Sequence, residues 1–455
     1  MVGKSENVLT KKNYGGLAFI PMLAFLVPYL GCGLFFYFRG ESSPFSFVPR
    51  EAALMFGIAA ALLMGSGKFE QKTESFMRHA ASPTLIQQCL IFLMAGMFSS
   101  VSKAMGGVDA VVNAGMSILP ERFIVPGLFL ISCLISISMG TSFGTISAVG
   151  PIAVGFVEAG GYDMTLVLCA VLGGAMFGDN LSFISDTTIA ATQGAGCEMK
   201  DKFRMNFAIA APAAIFATVM YAIFGVGNTV AGTSSEIEII KILPYLAVLV
   251  MAFCGLNVIY VLGLGLVFSA TVGFVTGGMN FFDMCTNMSS GISGMYTICL
   301  MAFTLKGIVG RVQDMGGIDW LLSRATSNIK TRKGAQYFMA VMISLVNISI
   351  GNNCITIIIS CEMLKPLAKK FKIAPKRFAS ILDIFACIMP GLSPIGMNVL
   401  AIMAFGGLTN PFSMMKYAFY LYALGIIMLL TIHFDLMKTK EEIEGQEFYP
   451  ELDAQ

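Results

Sequence analysis

The segment 173–194, GGAMFGDNLSFISDTTIAATQG, starts as an apolar helix and then places Asp179, Asn180, Ser182, Ser185, Asp186, Thr187 and Thr188 within ten residues. Carboxylate, hydroxyl and amide oxygens are hard donors that suit Na⁺. Burial disfavours the charged form of a carboxylate, so a proton and a Na⁺ can compete for one acid. Gly173, Gly174 and Gly178 permit close packing or unwinding, and unwound backbone adds carbonyl oxygens to the set. The Na⁺ ligands expected here are Asp179, Ser182, Asp186 and Thr187. The competing reading is a solvated loop that binds nothing.

Two Gly-flanked polar strings, GTSFGT at 140–145 and GNNCIT at 351–356, each lie between apolar segments almost without charge. Each reads as the tip of a helical hairpin or the break in a long helix. Thr141, Ser142 and Thr145 in one string, and Asn352, Asn353 and Thr356 in the other, offer neutral oxygens, and helix ends at such tips aim their dipoles at an ion. The same residues would serve equally as polar glue between helices. A third stretch, LDIFACIMPGLSPIGMN at 382–398, holds Asp383 in an apolar run, then Ser393 and Asn398 in a Pro- and Gly-broken segment. Glu362 is followed by Lys365 and reads as an interfacial pair. His79 and His433 have no ligand-spaced partner, so neither a catalytic nor a metal-binding histidine is expected.

A chain that is 56% hydrophobic and 12% charged, with mean hydropathy +0.77, is not an ordinary soluble protein. Its 29 Lys and Arg against 27 Asp and Glu leave +2, too balanced to grip nucleic acid through phosphates. The partner implied is the lipid bilayer, with no cofactor. The eleven cysteines are scattered along apolar runs without a Cys-x-x-Cys and read as reduced core residues. Apolar runs recur from 17–38 to 411–434, including 84–101, 123–140, 143–158, 163–180, 204–227, 291–308, 335–352, 354–364 and 378–395. Lys4, Lys11 and Lys12, then Lys68, Lys72 and Arg78, then Lys200, Lys202 and Arg204 fall on one side of these spans, whereas 228–236 and 277–290 carry no Lys or Arg. Both termini are therefore expected in the cytoplasm, and the chain in the cytoplasmic membrane.

An internal repeat sets the architecture. MGGVD at 105–109 matches MGGID at 315–319, GTSFGT stands where GNNCIT stands, and LSFI at 181–184 stands where LSPI stands at 392–395. All three share an offset of about 211 residues. The linker 157–165 has no Lys or Arg, while its counterpart holds Lys365, Lys369, Lys370, Lys372, Lys376 and Arg377. Equivalent loops thus lie on opposite faces. The fold expected is an all-α polytopic membrane protein, an inverted-topology repeat whose broken helices or helical hairpins meet at the membrane midplane. Residues 1–83 form a tail and two peripheral helices, 84–227 the first repeat, 228–290 connecting helices, 291–434 the second repeat and 435–455 a cytoplasmic tail. That is the plan of many secondary transporters, and a homodimer is compatible with it.

With those motifs in place, the chain resembles the NhaC-type Na⁺/H⁺ antiporter family over roughly residues 84–434. FGDNLSFISDTT at 177–188 is similar to the family's FGD-x-x-S-x-x-SDTT pattern, and GTSFGT to its GTS-aromatic-GT string. The chain departs from the family at Asn180, where Lys is common, at Phe183, where Pro is common, and in lacking a Trp-Asn-Thr stretch after Ser393-Pro394. The resemblance implies Na⁺/H⁺ exchange with Asp179 and Asp186 as carriers and Asp383 as a partner in the second copy. A Na⁺-coupled carrier of an organic solute, a dicarboxylate or an amino acid bound by Asn352, Asn353, Ser393 and Asn398, is the alternative. An intramembrane aspartyl protease built on Asp179 and Asp383 lacks the first Gly of a Gly-x-Gly-Asp motif, since Met176 stands there.

Overall fold

The computed structural model describes residues 13–39, 41, 47–81, 83–107, 109–111, 114, 120–182, 185–226, 238–254, 256–317, 320, 329–350, 353–444 and 448–449. Every regular element among them is helical. Seven of the described helices are long and apolar enough to cross a membrane, and the pair Pro375–Leu392 and Met397–Phe405, bent by 41°, meets the same test taken together. Cys89, Cys133, Cys169, Cys299, Cys361 and Cys387 are buried, whereas Cys254 and Cys285 are exposed.

The chain divides into two compact units. One comprises Met1–Cys89 with Thr297–Ile329. Its helices are α1 (Ile20–Leu26), α2 (Cys32–Phe38), α3 (Arg50–Leu63) and α4 (Phe69–Ala80). A π-helical turn over Val27–Gly31 separates α1 from α2. It contains Pro28, which has no N–H to give the helix ladder. The charged stretch around Lys72 and Arg78 forms the amphipathic α4, opened by a box in which the Lys68 N–H donates to Gln71 Oε1 at 3.0 Å.

The second unit carries the repeat. After α5 (Pro83–Ala104) come α6 (Ile124–Met139), α7 (Ser142–Gly160), α8 (Met164–Leu181), α9 (Asp186–Ala195) and α10 (Met199–Phe224). Then follow α11 (Ile239–Phe253), α12 (Val258–Val275) and α13 (Phe281–Asp314), of which the part from Thr297 onward belongs to the first unit. The series returns as α14 (Arg332–Ile350), α15 (Asn353–Lys370), α16 (Pro375–Leu392), α17 (Met397–Phe405), the short α18 (Pro411–Met415) and α19 (Phe419–His433), ending in α20 (Lys440–Ile443). A hairpin, a broken helix and a closing helix thus occur twice. The packing repeats with them: α9 lies on α15 and α16, and α17 lies on α7 and α8. Each broken helix leans its second half on the other copy's hairpin.

Local chemistry sets the turns. Gly140 ends α6 at φ +66°, a left-handed conformation that favours glycine, and Thr141 caps α7 by accepting from the Gly144 N–H. Both helix breaks begin at a serine with extended backbone, Ser182 (ψ 139°) and Ser393 (ψ 131°). A Cβ on Gly396 would lie 2.2 Å from the Pro390 carbonyl oxygen, so that turn demands glycine. One expectation is corrected here. The polar stretch 277–290 is not a loop between spans: α13 begins at Phe281 and runs 34 residues, about 51 Å at 1.5 Å per residue. The boundary drawn at 290 falls inside it. Its Ser, Thr and Asn side chains bond the helix's own carbonyls, as in Thr286 to Phe282 O (2.9 Å) and Asn287 to Asp283 O (2.8 Å), so polarity there does not break the helix.

Candidate functional site

Asp179 sits two residues before the end of α8 and is 4% exposed. It reaches that position because α6 packs directly against the glycine face of α8. A Cβ on Gly178 would lie 2.1 Å from Ser136 Oγ, one on Gly174 would lie 2.5 Å from Phe129 O, and Ser136 Oγ donates to Ala175 O at 2.6 Å. This is a small-xxx-small contact, Gly174 to Gly178, between helix and hairpin. It carries the hairpin tip to the acid: the Ser142 backbone N–H donates to Asp179 Oδ1 at 3.0 Å, with the positive end of α7 aimed at the carboxylate.

The second copy closes the same spot. Asn398, in the first turn of α17, donates from Nδ2 to Ser142 Oγ (3.3 Å) and Met176 Sδ (3.4 Å). Thr187 in α9 donates to the Asp179 carbonyl at 3.2 Å and lies 2.7 Å from Ser185 Oγ. Asn180 donates to Met176 O at 2.9 Å and to Tyr420 Oη on α19 at 3.5 Å. Beside these, Asp383 on α16 is fully buried and pairs through Oδ2 with Lys202 Nζ at 2.8 Å, while Asn206 Nδ2 donates to the same oxygen at 2.7 Å. Lys202 also donates to Thr188 Oγ1 (2.7 Å) and Asn180 O (3.0 Å).

The site is rich in acceptors and short of donors. Asn180 Oδ1, Asn206 Oδ1, Asp383 Oδ1 and Asn398 Oδ1 are all buried, and no donor reaches them among the described residues. In each of the three amides the NH₂ is already committed, so flipping it would orphan a donor instead. Buried acceptors without donors are costly in a protein interior and are the condition that a bound cation relieves.

The other residues singled out by sequence fall in several places. Ser182 is buried at the end of α8 and Ser185 precedes α9. Thr145 turns its hydroxyl back to Thr141 O at 3.1 Å. Asn353 and Thr356 form a separate cluster around Asn347, whose Nδ2 lies within 3.3 Å and 3.4 Å of their oxygens and donates to Ala386 O at 3.1 Å. The second tip is thereby tied to α16 three residues beyond Asp383. Ser393 accepts from the Ile395 N–H at 3.4 Å. Asn352 and the side chains of Asp186 and Glu362 lie outside the described residues.

Sequence reasoning misses Lys202, Asn206, Asn347 and Tyr420. Charge counting puts Lys202 in a cytoplasmic loop, whereas its side chain is 1% exposed inside α10. A signal is present in Asn206, one turn further along, a polar residue facing the same way in an otherwise apolar run.

A family model described as the Na⁺/H⁺ antiporter family matches residues 41–226 and 232–437. The chain is 24% identical over 347 residues to the Na⁺/H⁺ antiporter NhaC of Alkalihalophilus pseudofirmus, covering 69% of this chain and 74% of that one. It is 24% identical over 384 residues to the Na⁺/H⁺ antiporter NhaC of Bacillus subtilis, covering 76% and 83%. A shorter match, 28% over 185 residues, covers 39% of this chain and 38% of the malate-2H⁺/Na⁺-lactate antiporter of Bacillus subtilis.

Proposed function

The chain belongs to the Na⁺/H⁺ antiporter family, a multi-pass membrane protein that exchanges Na⁺ for H⁺, and on that premise we propose that both ions are carried by the carboxylate of Asp179. The observation that carries this reading is a buried acid at a helix break, bordered by acceptor oxygens that lack donors. Na⁺ would take its ligands from Asp179, Ser182, Asp186 and Thr187, as the sequence pattern suggests, with Asn180 and Asn398 at the edge. A proton on Asp179 removes the charge that holds Na⁺, so the two ions exclude each other. Alternating exposure comes from one copy rocking against the other about the crossed breaks, with both termini in the cytoplasm and the chain in the cytoplasmic membrane.

Asp179→Asn tests it. The change keeps shape and hydrogen-bonding capacity but removes the charge, so coupled exchange is expected to vanish while the reconstituted protein stays folded. Unchanged Na⁺-dependent H⁺ movement at equal protein would move the site off Asp179.

A second reading has one observation in its favour, the match to a relative named for malate and lactate. In it the amides of Asn353 and Asn398, with Ser393 and Asn352, hold an organic solute while Na⁺ binds near Asp179. Uptake of labelled dicarboxylates and amino acids into vesicles with and without a Na⁺ gradient separates the two.

A further inference from the structure

The two copies align residue by residue, and a hydrogen bond shows the register. Ser136 Oγ donates to Ala175 O at 2.6 Å, and at an offset of 211 Asn347 Nδ2 donates to Ala386 O at 3.1 Å. The same offset matches α9 to α17 and α7 to α15, so the crossing of α9 with α15 is the counterpart of the crossing of α17 with α7. All four helices start from a break or a hairpin tip. The ten residues of α9 span about 15 Å at 1.5 Å per residue, half of a hydrocarbon core about 30 Å thick. Each crossing therefore runs from the depth of the site to one face of the membrane. Lys200 and Arg204 beyond α9, with Lys369 and Lys370 at the end of α15, give the first crossing the cytoplasmic face in the orientation above.

The two crossings are packed differently. Between α9 and α15 lies a crevice of about 400 Å³, lined by Ile189, Ala190 and Gln193 on one side and Ile358 and Cys361 on the other, with Lys365 toward its cytoplasmic end. Ile358 is 47% exposed, Gln193 is exposed, and Ile189 and Ala190 are half-buried. In the other crossing the counterpart of Ile358 is Ser147, at 0%, and those of Ile189 and Ala190 are Leu400 and Ala401, each at 1%. One pair of residues accounts for the contrast. A Cβ on Gly194 would lie 2.7 Å from Cys361 Sγ; the counterpart pair is Phe405 and Gly150, where a Cβ on Gly150 would lie 2.8 Å from Phe405 Cδ2. A phenyl ring thus fills the outer crossing at the position where the inner one has a glycine.

The site stands between the inner ends of the two crossings. Ser142, whose N–H meets Asp179, and Asn398, which donates to Ser142, belong to the first turns of α7 and α17. Thr187, which donates to the Asp179 carbonyl, belongs to the first turn of α9. Gln193 and Lys365 are poor groups to cover with lipid tails, so the occupant that fits the inner crevice is water with the transported cation in it. The Lys365 ammonium lies 5.5 Å from the Tyr449 ring centroid, near the surface where salt screens its charge.

We propose that the crevice between α9 and α15 is the route from the cytoplasm to Asp179, that the crossing of α7 with α17 is the route to the outside, and that Phe405 on Gly150 is the plug that shuts the outer route while the inner one is open. This rests on the assignment of Asp179 and on the orientation given above, and adds the path and the gate. Exchange then requires the Phe405 ring to leave Gly150 once in each cycle, so that an ion at Asp179 meets one open crevice at a time.

The test labels cysteines introduced one at a time at equivalent positions: Ala190→Cys and Ile358→Cys in the inner crevice, Ala401→Cys and Ser147→Cys in the outer crossing. Right-side-out and inside-out vesicles carry the full-length protein. The probe is a membrane-impermeant methanethiosulfonate bearing a trimethylammonium group, and the label is read on the peptide that holds the new cysteine. The inner pair is expected to react from the cytoplasmic face alone. The outer pair is expected to react from outside slower by about tenfold or more, the factor set by an outward-open state that is the minor one. Phe405→Ala is expected to raise the outer pair to the rate of the inner; if that variant does not elute as a folded protein, Phe405→Leu is expected to raise it part of the way. Complete labelling of Ile358→Cys is expected to stop exchange by filling the crevice. An inner pair that ignores the probe, as thiols under lipid would, or that reacts from outside, would overturn the proposal. So would exchange that continues after complete labelling, or a folded Phe405 variant whose outer pair stays as slow as before. Failure of the Asp179 assignment has a different signature: exchange that survives Asp179→Asn while the labelling pattern is unchanged.

Discussion

Gly178→Ala is the smallest change that separates the hairpin from the broken helix. The added methyl would sit 2.1 Å from Ser136 Oγ, 2.2 Å from Ser136 Cβ and 2.3 Å from the Ser136 carbonyl carbon. Two of those three are rigid, so α6 must move by about 1.5 Å to reach ordinary contact near 3.5–4 Å. Overpacking of this kind costs about 1–3 kcal/mol. The shift also stretches the Ser136 to Ala175 bond and withdraws the Ser142 N–H from Asp179, and a lost hydrogen bond to a charged group adds about 1.5–3 kcal/mol. At Gly127, on the same α6, an added methyl would meet nothing within 4 Å. There alanine should be neutral or stabilising by up to about 1 kcal/mol. Thermal unfolding of purified Gly178→Ala and Gly127→Ala in detergent, alongside exchange in proteoliposomes, reads both effects. The first variant should lose apparent Tm and raise the Na⁺ half-saturation, and the second should do neither. Wild-type stability and affinity in Gly178→Ala would refute the claim that this contact places the tip on Asp179.

Asn398→Ala removes the link between the second copy and the first tip; one neutral hydrogen bond is worth about 1 kcal/mol, so Na⁺ half-saturation should rise about fivefold with little change in maximal rate. An unchanged half-saturation would show that α17 does not support the site. Arg122 and Lys330 are exposed at equivalent linkers of the two copies. In a cysteine-free background, Arg122→Cys should react with an impermeant reagent from outside, and Lys330→Cys only after permeabilisation. Labelling of both from one side would contradict the inverted arrangement.

The first hairpin tip and the second helix break are legible because each is spelled in residues that end helices: Gly140 before a capping Thr141, and Ser393-Pro394 followed by Gly396. The clustering of Asp179 with Ser142 is legible only as a repeat of motifs, since nothing in spacing says which helices touch. Lys202 escapes notice for a physical reason. Charge counting treats a lysine near a helix start as solvated, and what buries this one is Asp383, 181 positions away in the chain. The start of α13 is hidden because Asp283, Thr286, Asn287 and Ser289 look like loop chemistry. In the structure Asn280 and Asp283 cap the helix reciprocally at 3.0 and 2.9 Å, and the side chains that follow bond inward.

The measurement that bears most directly on Asp179 as a shared site is the apparent Na⁺ half-saturation of the reconstituted protein as a function of pH through the neutral range. If one carboxylate serves both ions, lowering the pH protonates the group that Na⁺ needs. The half-saturation should rise as the pH falls, while the rate at saturating Na⁺ is unchanged. A half-saturation that stays flat, together with Na⁺ flux stimulated by an added dicarboxylate or amino acid, would contradict exchange at Asp179 and leave its carboxylate serving Na⁺ alone.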